Sequence, residues 1–234
     1  MAFRRQGEGL AVLVSLPGRT RGIAAVSSPS SRISSVADHT PEERTLAAPT
    51  PPIPLAKPWR VVGLDPGLHR TGYAVLEAVR HQHAWQPRVC EAGVLRAPPA
   101  RRRADALAER LRILHDSLVE VLEEWQPAAL AVEQLYAHYA HPRTAILMAH
   151  ARGVFLLVGA ARGLPVVGYP ATRIKKLITG SGRASKTQIQ YAITAQLCLD
   201  RLPQPPDVAD ALAVALCHFL ASVRSLPLPP PSSG

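Results

Sequence analysis

Four acidic residues sit where their neighbours would otherwise specify apolar packing. Asp65 closes the β-forming run Val61-Val62-Gly63-Leu64 and is followed by a Pro66-Gly67 turn and a second run from Thr71-Gly72-Tyr73. Glu133 stands at the end of Leu130-Ala131-Val132. Asp207 and Asp210 are three residues apart after Pro205-Pro206, so a helix beginning there carries both on one face. Each acid has an ordinary explanation by itself. Asp65 and Glu133 fit strand positions that are half exposed or held by hydrogen bonds, and the aspartates fit the positive end of a helix. Together they imply more. If the two strands are neighbours and the final helix packs its Asp207/Asp210 face over them, the carboxylates converge, and such charges repel unless cations lie among them. Oxygen donors without a His or Cys set beside them select Mg²⁺ or Mn²⁺. Two such ions held close together activate a water and stabilise the leaving oxygen of a phosphodiester, which is nuclease chemistry. Glu120, Glu123 and Glu124 read instead as a solvated helix face.

The elements that must position these acids are legible after Trp59. Strands are expected at about 60–65, 71–77 and 88–96, and their short connections predict an antiparallel meander. From Ala104 to Trp125, Leu107, Leu111, Leu114, Leu118 and Val121 recur at helical spacing, and Pro127 ends that helix. Ala128 to Leu135 reads as a buried strand. Pro142 opens a helix that runs from Arg143 to Arg162, where Gly163-Leu164-Pro165 stops it. That helix is apolar around most of its girth, which predicts a surface shared with a second copy. Val166-Val167 suggests a fifth strand, and three helical segments follow, the last beginning at Pro205-Pro206. The expected order is β-β-β-α-β-α-β-α-α-α.

Charge and composition restrict the function further. Lys and Arg number 27 against 17 Asp and Glu, a net +10, of which residues 1–58 contribute only +3. The folded part is therefore the basic part, and it is expected to bind a polyanion such as nucleic acid. Residues 1–58, rich in Ser, Pro and Arg, and 225–234, rich in Ser and Pro, have compositions that predict disorder. The first of these also has the arginines and serines of an organellar transit peptide, an alternative to cytoplasmic residence. The nuclease domain is assigned to 59–224. Cys90, Cys198 and Cys217 lack paired metal spacing and read as small buried hydrophobes in a reducing compartment. No apolar run is expected to reach the roughly 18 residues that span a bilayer, because Arg, His, Gly or Pro interrupts each candidate.

Gly63-Leu64-Asp65-Pro66-Gly67 with Thr71-Gly72-Tyr73, Val132-Glu133-Gln134, Ala151-Arg152-Gly153, Lys186-Thr187-Gln188 and Asp207-Val208-Ala209-Asp210-Ala211-Leu212-Ala213 together resemble RuvC, the bacterial Holliday-junction resolvase family. The resemblance runs in order from about Trp59 to Leu220. It implies an α/β RNase H-like fold, a five-stranded mixed sheet whose three antiparallel strands precede the parallel ones, flanked by helices. It also implies a homodimer that cuts two strands of a four-way junction symmetrically, with two Mg²⁺ ions per site held by Asp65, Glu133, Asp207 and Asp210, or Mn²⁺ in their place. A branch-migration motor of the RuvA and RuvB type is the implied partner. Tyr136 looks like the family aromatic that follows the strand-four glutamate, and it is expected to stack on an unpaired base at the crossover. Arg173, Lys175, Lys176, Arg183 and Lys186 resemble its DNA-binding segment, and cations around a Gly-rich loop neutralise phosphates without reading bases. Arg101-Arg102-Arg103 is a competing basic run, read as a solvated patch. The alternatives are an RNase H-like nuclease for another branched or hybrid substrate, a junction-binding protein without catalysis, and a phosphotransferase. The last is disfavoured by the short chain and the lack of a second phosphate-binding glycine motif.

Overall fold

Strand β1 (Arg60–Asp65) is buried from Val61 through Leu64, as a strand covered on both faces must be. Its neighbours follow from that. In this computed structural model, which describes residues 58–81, 84–97, 106–135 and 142–223, β1 lies at the centre of a five-stranded sheet. The strand order is β3-β2-β1-β4-β5. β2 (Arg70–His81) and β3 (Ala84–Arg96) form the antiparallel meander, whereas β4 (Ala129–Glu133) and β5 (Val166–Tyr169) run parallel to β1. The helices are α1 (Ala106–Trp125), α2 (Pro142–Ala161), α3 (Ala171–Thr179), α4 (Lys186–Gln196) and α5 (Pro206–Ser222). The order of elements is the one the sequence predicts. The expected extension and tail, apart from Pro58, lie outside the described residues, as do Tyr136 and Arg101-Arg102-Arg103.

Alternation along the strands divides the core in two. Val62, Leu64, Val75, Leu130 and Val132 face α1 and α2, meeting Leu114, Leu118 and Phe155. Val61, Ala74, Leu76 and Ala131 face the opposite layer, where they meet Leu212 and Leu216 of α5 and Ile193 of α4. α5 is buried at nearly every position from Val208 to Phe219, so it is the central helix of that layer.

Three expectations need correction. The β2–β3 hairpin is longer than its apolar residues suggest, because polar residues such as Arg80 and Gln86 continue the pairing beyond Glu77 and Arg88, and edge strand β3 admits Pro87 opposite Ala78. Arg143–Ala161 is, after all, long and apolar enough by length and composition to cross a membrane, since His150, Arg152 and its two glycines do not offset its many apolar residues. In this fold the helix buries Ala151, Phe155 and Val158 against the sheet. Cys217 is buried as expected, but Cys90 is only partly buried and Cys198, just past the end of α4, is exposed.

His218, near the end of α5, is enclosed by aromatic and hydroxyl groups. Its ring stacks on Trp59 at 5.9 Å, Nδ1 lies 3.0 Å from the Tyr169 hydroxyl, and Nε2 lies 3.3 Å from the Ser222 hydroxyl. Burial pushes the imidazole down to about 4. The unfolded chain, titrating near 6.5, therefore binds a proton that the folded chain refuses, and this residue's stabilisation falls as pH drops from 6.5 towards 4. The expected loss is about 3 kcal/mol at most. Urea denaturation of wild type and His218→Gln at pH 7 and pH 4.5 checks it: the gap between the two should narrow or reverse in acid. A gap independent of pH would refute the assignment.

Candidate active site

The same alternation that builds the core aims the acids. Asp65 shares the parity of Val61 and Gly63, and Glu133 that of Ala129 and Ala131, so both project towards the α5 layer. The parallel register pairs Leu64 with Val132 and thus sets the two acids side by side at neighbouring strand ends. The turn that carries Asp65 is closed locally: Thr71 is fully buried, its hydroxyl donates to the Gly67 carbonyl at 2.7 Å and accepts from the Gly67 amide at 3.1 Å. At the end of β4, the Gln134 amide donates to the Tyr169 carbonyl at 2.9 Å, and Arg152 Nε of α2 donates to the Glu133 carbonyl at 3.2 Å.

α5 supplies the other two acids near its start, Asp207 in the first turn and Asp210 directly after it. It can approach because β1 and β2 present glycines there: a Cβ on Gly63 would lie 2.4 Å from the Ala215 nitrogen, and one on Gly72 would lie 1.9 Å from the Asp207 carbonyl oxygen. Asp207 and Asp210 are consequently close enough to act on Asp65. Burial first, then the charges of Glu133, Asp210 and Asp207, push the Asp65 carboxyl up to about 8. Burial and Asp210 raise Glu133 as well, while a hydrogen bond from Asp65 acts to lower it. Ionising both strand acids together is therefore costly at neutral pH.

Two cations answer this charge. Lys186, the first residue of α4, reaches Asp210 Oδ2 at 3.2 Å, and that carboxylate, with Asp65 and Glu133 beyond it, raises the ammonium's affinity for its proton. The Ser185–Gln188 capping box fixes the start of α4 and therefore the root of that lysine. Arg70, which the sequence reading did not select as a site residue, places a guanidinium nitrogen 2.7 Å from Asp207 Oδ2. Its signal was positional: it begins β2 directly after the acid-bearing turn.

The other expected DNA contacts divide. Lys175 of α3 faces the acids closely enough to lower Glu133 electrostatically. Arg173 instead lies over the Tyr169 ring at 5.4 Å, Lys176 is exposed on α3, and Arg183 is exposed in the loop before α4. The donors suit a hard divalent cation in kind: partly buried carboxylate oxygens that repel one another and raise the Asp65 carboxyl well above its ordinary range. Among the described residues, however, no three acidic, His or Cys side chains stand ready around one ion. Asp207 and Asp210 are each engaged by a cation instead. An ion would have to draw these two away from Arg70 and Lys186.

Sheet order, helix layers and acids at the ends of β1 and β4 define an RNase H-like nuclease. Comparison with known proteins is more specific. The family model described as crossover junction endodeoxyribonuclease RuvC matches residues 61–218. The enzyme of that name from Rhodopirellula baltica is 50% identical over 165 residues, covering 69% of this chain and 87% of its own. Thermus thermophilus RuvC superposes with a TM-score of 0.62 at 30% identity, covering 73% of this chain and 99% of that one. The same protein in complex with a Holliday junction substrate gives 0.63 at 30% identity with the same coverage. The chain belongs to the RuvC family of endonucleases.

Proposed function

We propose that the protein resolves four-way DNA junctions by divalent-ion-dependent hydrolysis, cutting two strands symmetrically as a homodimer. The observation that carries this reading is the mutual electrostatic reach of Asp65, Glu133, Asp207 and Asp210 on one face of the sheet, with Lys186 beside them. These four acids would hold Mg²⁺ ions, or Mn²⁺. When bound, the ions would supply an activated water and charge stabilisation for the departing oxygen. Asp65 must be ionised for that, so ion uptake and cleavage should increase as pH rises towards 8. Lys186, beside the acids, would meet an incoming phosphate, and Lys175, Lys176 and Arg183 would extend the positive surface along α3 and the following loop, holding backbone without reading bases. A branch-migration motor of the RuvA and RuvB type belongs to the same proposal as the supplier of junctions.

Cleavage of a four-way junction, a linear duplex and an RNA–DNA hybrid, each with Mg²⁺, tests the reading. Junction-selective paired nicks are expected. Equal cutting of all three would point to a general nuclease, and junction binding without cutting would point to an inert binder; either result rejects the proposal.

The dimer is proposed through α2. Ile146, His150, Gly153, Leu157 and Ala160 are all exposed and recur at spacings of four and three, one stripe along the helix. Ile146 is 57% and Leu157 65% exposed, and the space before Gly153 is open. An apolar stripe around a small residue suits close approach of a second copy. Leu157→Glu should therefore convert the dimer to monomer while changing unfolding stability by no more than about 0.5 kcal/mol. Sedimentation decides it: a wild type that stays monomeric with junction DNA removes this part.

A further inference from the structure

Among the described residues, Arg70 is the cation at the acid cluster that belongs to the sheet rather than to α3 or α4. It begins β2, opposite Arg96 of β3, and its guanidinium holds Asp207 at 2.7 Å. Asp207 is in the first turn of α5, and its backbone is fixed by contact with Gly72, two residues along the same strand from Arg70. The carboxylate can therefore turn towards Arg70 or towards the other acids, but its root cannot follow. Both partners are partly exposed, 42% for the arginine side chain and 32% for the aspartate, so the pair is weak enough to be exchanged.

We propose that Arg70 is a positioning residue: it holds Asp207 turned away from the ion-binding acids, and a divalent ion binds fully only by displacing it. This rests on the reading of the four acids as ion ligands. The pair keeps one acid neutralised without an ion, and gives the ion a competitor that must be released.

Mn²⁺ titration of the full chain without DNA, followed by calorimetry and by the electron paramagnetic resonance of free Mn²⁺, separates the possibilities. Arg70→Gln should bind Mn²⁺ about two- to fivefold more tightly than wild type, the range an exposed ion pair supports. Arg70→Lys, which keeps the charge and can still meet Asp207, should return affinity towards wild type. Arg96→Gln removes the same charge from the neighbouring strand without touching Asp207, and should change affinity less than Arg70→Gln. An unchanged or weakened affinity in Arg70→Gln overturns the proposal, as does equal tightening in Arg96→Gln, which would reduce the effect to net charge. No Mn²⁺ uptake by the wild type would overturn both the ion-site reading and this one; uptake abolished by Asp65→Asn alongside an unaltered Arg70→Gln would overturn this one alone.

Discussion

Asp65→Asn should abolish junction cleavage, by a thousandfold or roughly more, while making the ion-free protein more stable at pH 8. The two effects share a cause. Asp65 lies mostly out of solvent beside Glu133 and within reach of Asp210 and Asp207, and its carboxyl is raised from 3.8 to about 8. In the unfolded chain it ionises near its ordinary value. Between those limits the folded chain holds a proton that the unfolded chain has lost, so the cost of ionising Asp65 in place is absent below pH 4 and complete only above 8. An amide of the same shape never ionises. It should relieve a few kcal/mol of repulsion at pH 8 and almost none at pH 4.5. With the acid gone, one ion loses a ligand and its electrostatic hold on the reacting phosphate, an effect of several kcal/mol in the transition state. Melting in EDTA at both pH values, with junction cleavage in Mg²⁺, checks this. An Asp65→Asn protein that melts below wild type at pH 8, or keeps a tenth of the activity, would show that Asp65 supports the fold rather than holding an ion.

Much of this site could be read from residue order, because strand parity is a local property. Asp65 follows Val61 and Gly63 at alternate positions, and Glu133 follows Ala129 and Ala131, so neighbouring strands necessarily put both acids on one face. Asp207 and Asp210 share a helix face for an equally local reason. What sequence could not supply is the partner each acid takes, since that depends on rotamers chosen after packing. Arg70 on Asp207 and Arg173 over Tyr169 are such choices: two arginines, one drawn into the acid cluster and one kept out of it by an aromatic ring. The hairpin's length was hidden for a different reason. Its outer half lies on an edge strand, where Pro87 and charged residues are tolerated, so the apolar alternation that marks a strand is weaker there. The exposed stripe on α2 was foreshadowed as surplus apolarity, but which residues form it required knowing which ones the sheet had already buried.

Gly72→Ala should be the most damaging single methyl group in the active site. Gly72 pairs with Asp65 across β1 and β2, and an added Cβ would lie 1.9 Å from the Asp207 carbonyl oxygen, 2.6 Å from its carbonyl carbon and 3.2 Å from the Ala211 Cβ. The obstacle is helix backbone, so no side-chain rotation relieves it, and the first turn of α5 must withdraw. That turn bears Asp207, and Asp210 follows directly behind it. Overpacking of this kind costs about 1–3 kcal/mol of stability, sometimes more. Displacing two ligands by about 1 Å costs on the order of a hundredfold in rate. Gly63→Ala separates these contributions, because its Cβ would strike Ala215 and Ala211 in the middle of α5, at 2.4 Å from the Ala215 nitrogen and 2.6 Å from the Ala211 oxygen. It should destabilise at least as much, yet lose less activity per unit of stability lost, since the helix can tilt about its middle and leave its first turn closer to β1. Urea midpoints and junction cleavage rates for both variants, measured where each remains folded, give that ratio directly. If Gly72→Ala keeps wild-type cleavage, the approach of α5 to β2 does not set the position of its acids, and the geometry of the site must be held from α4 through Lys186 instead.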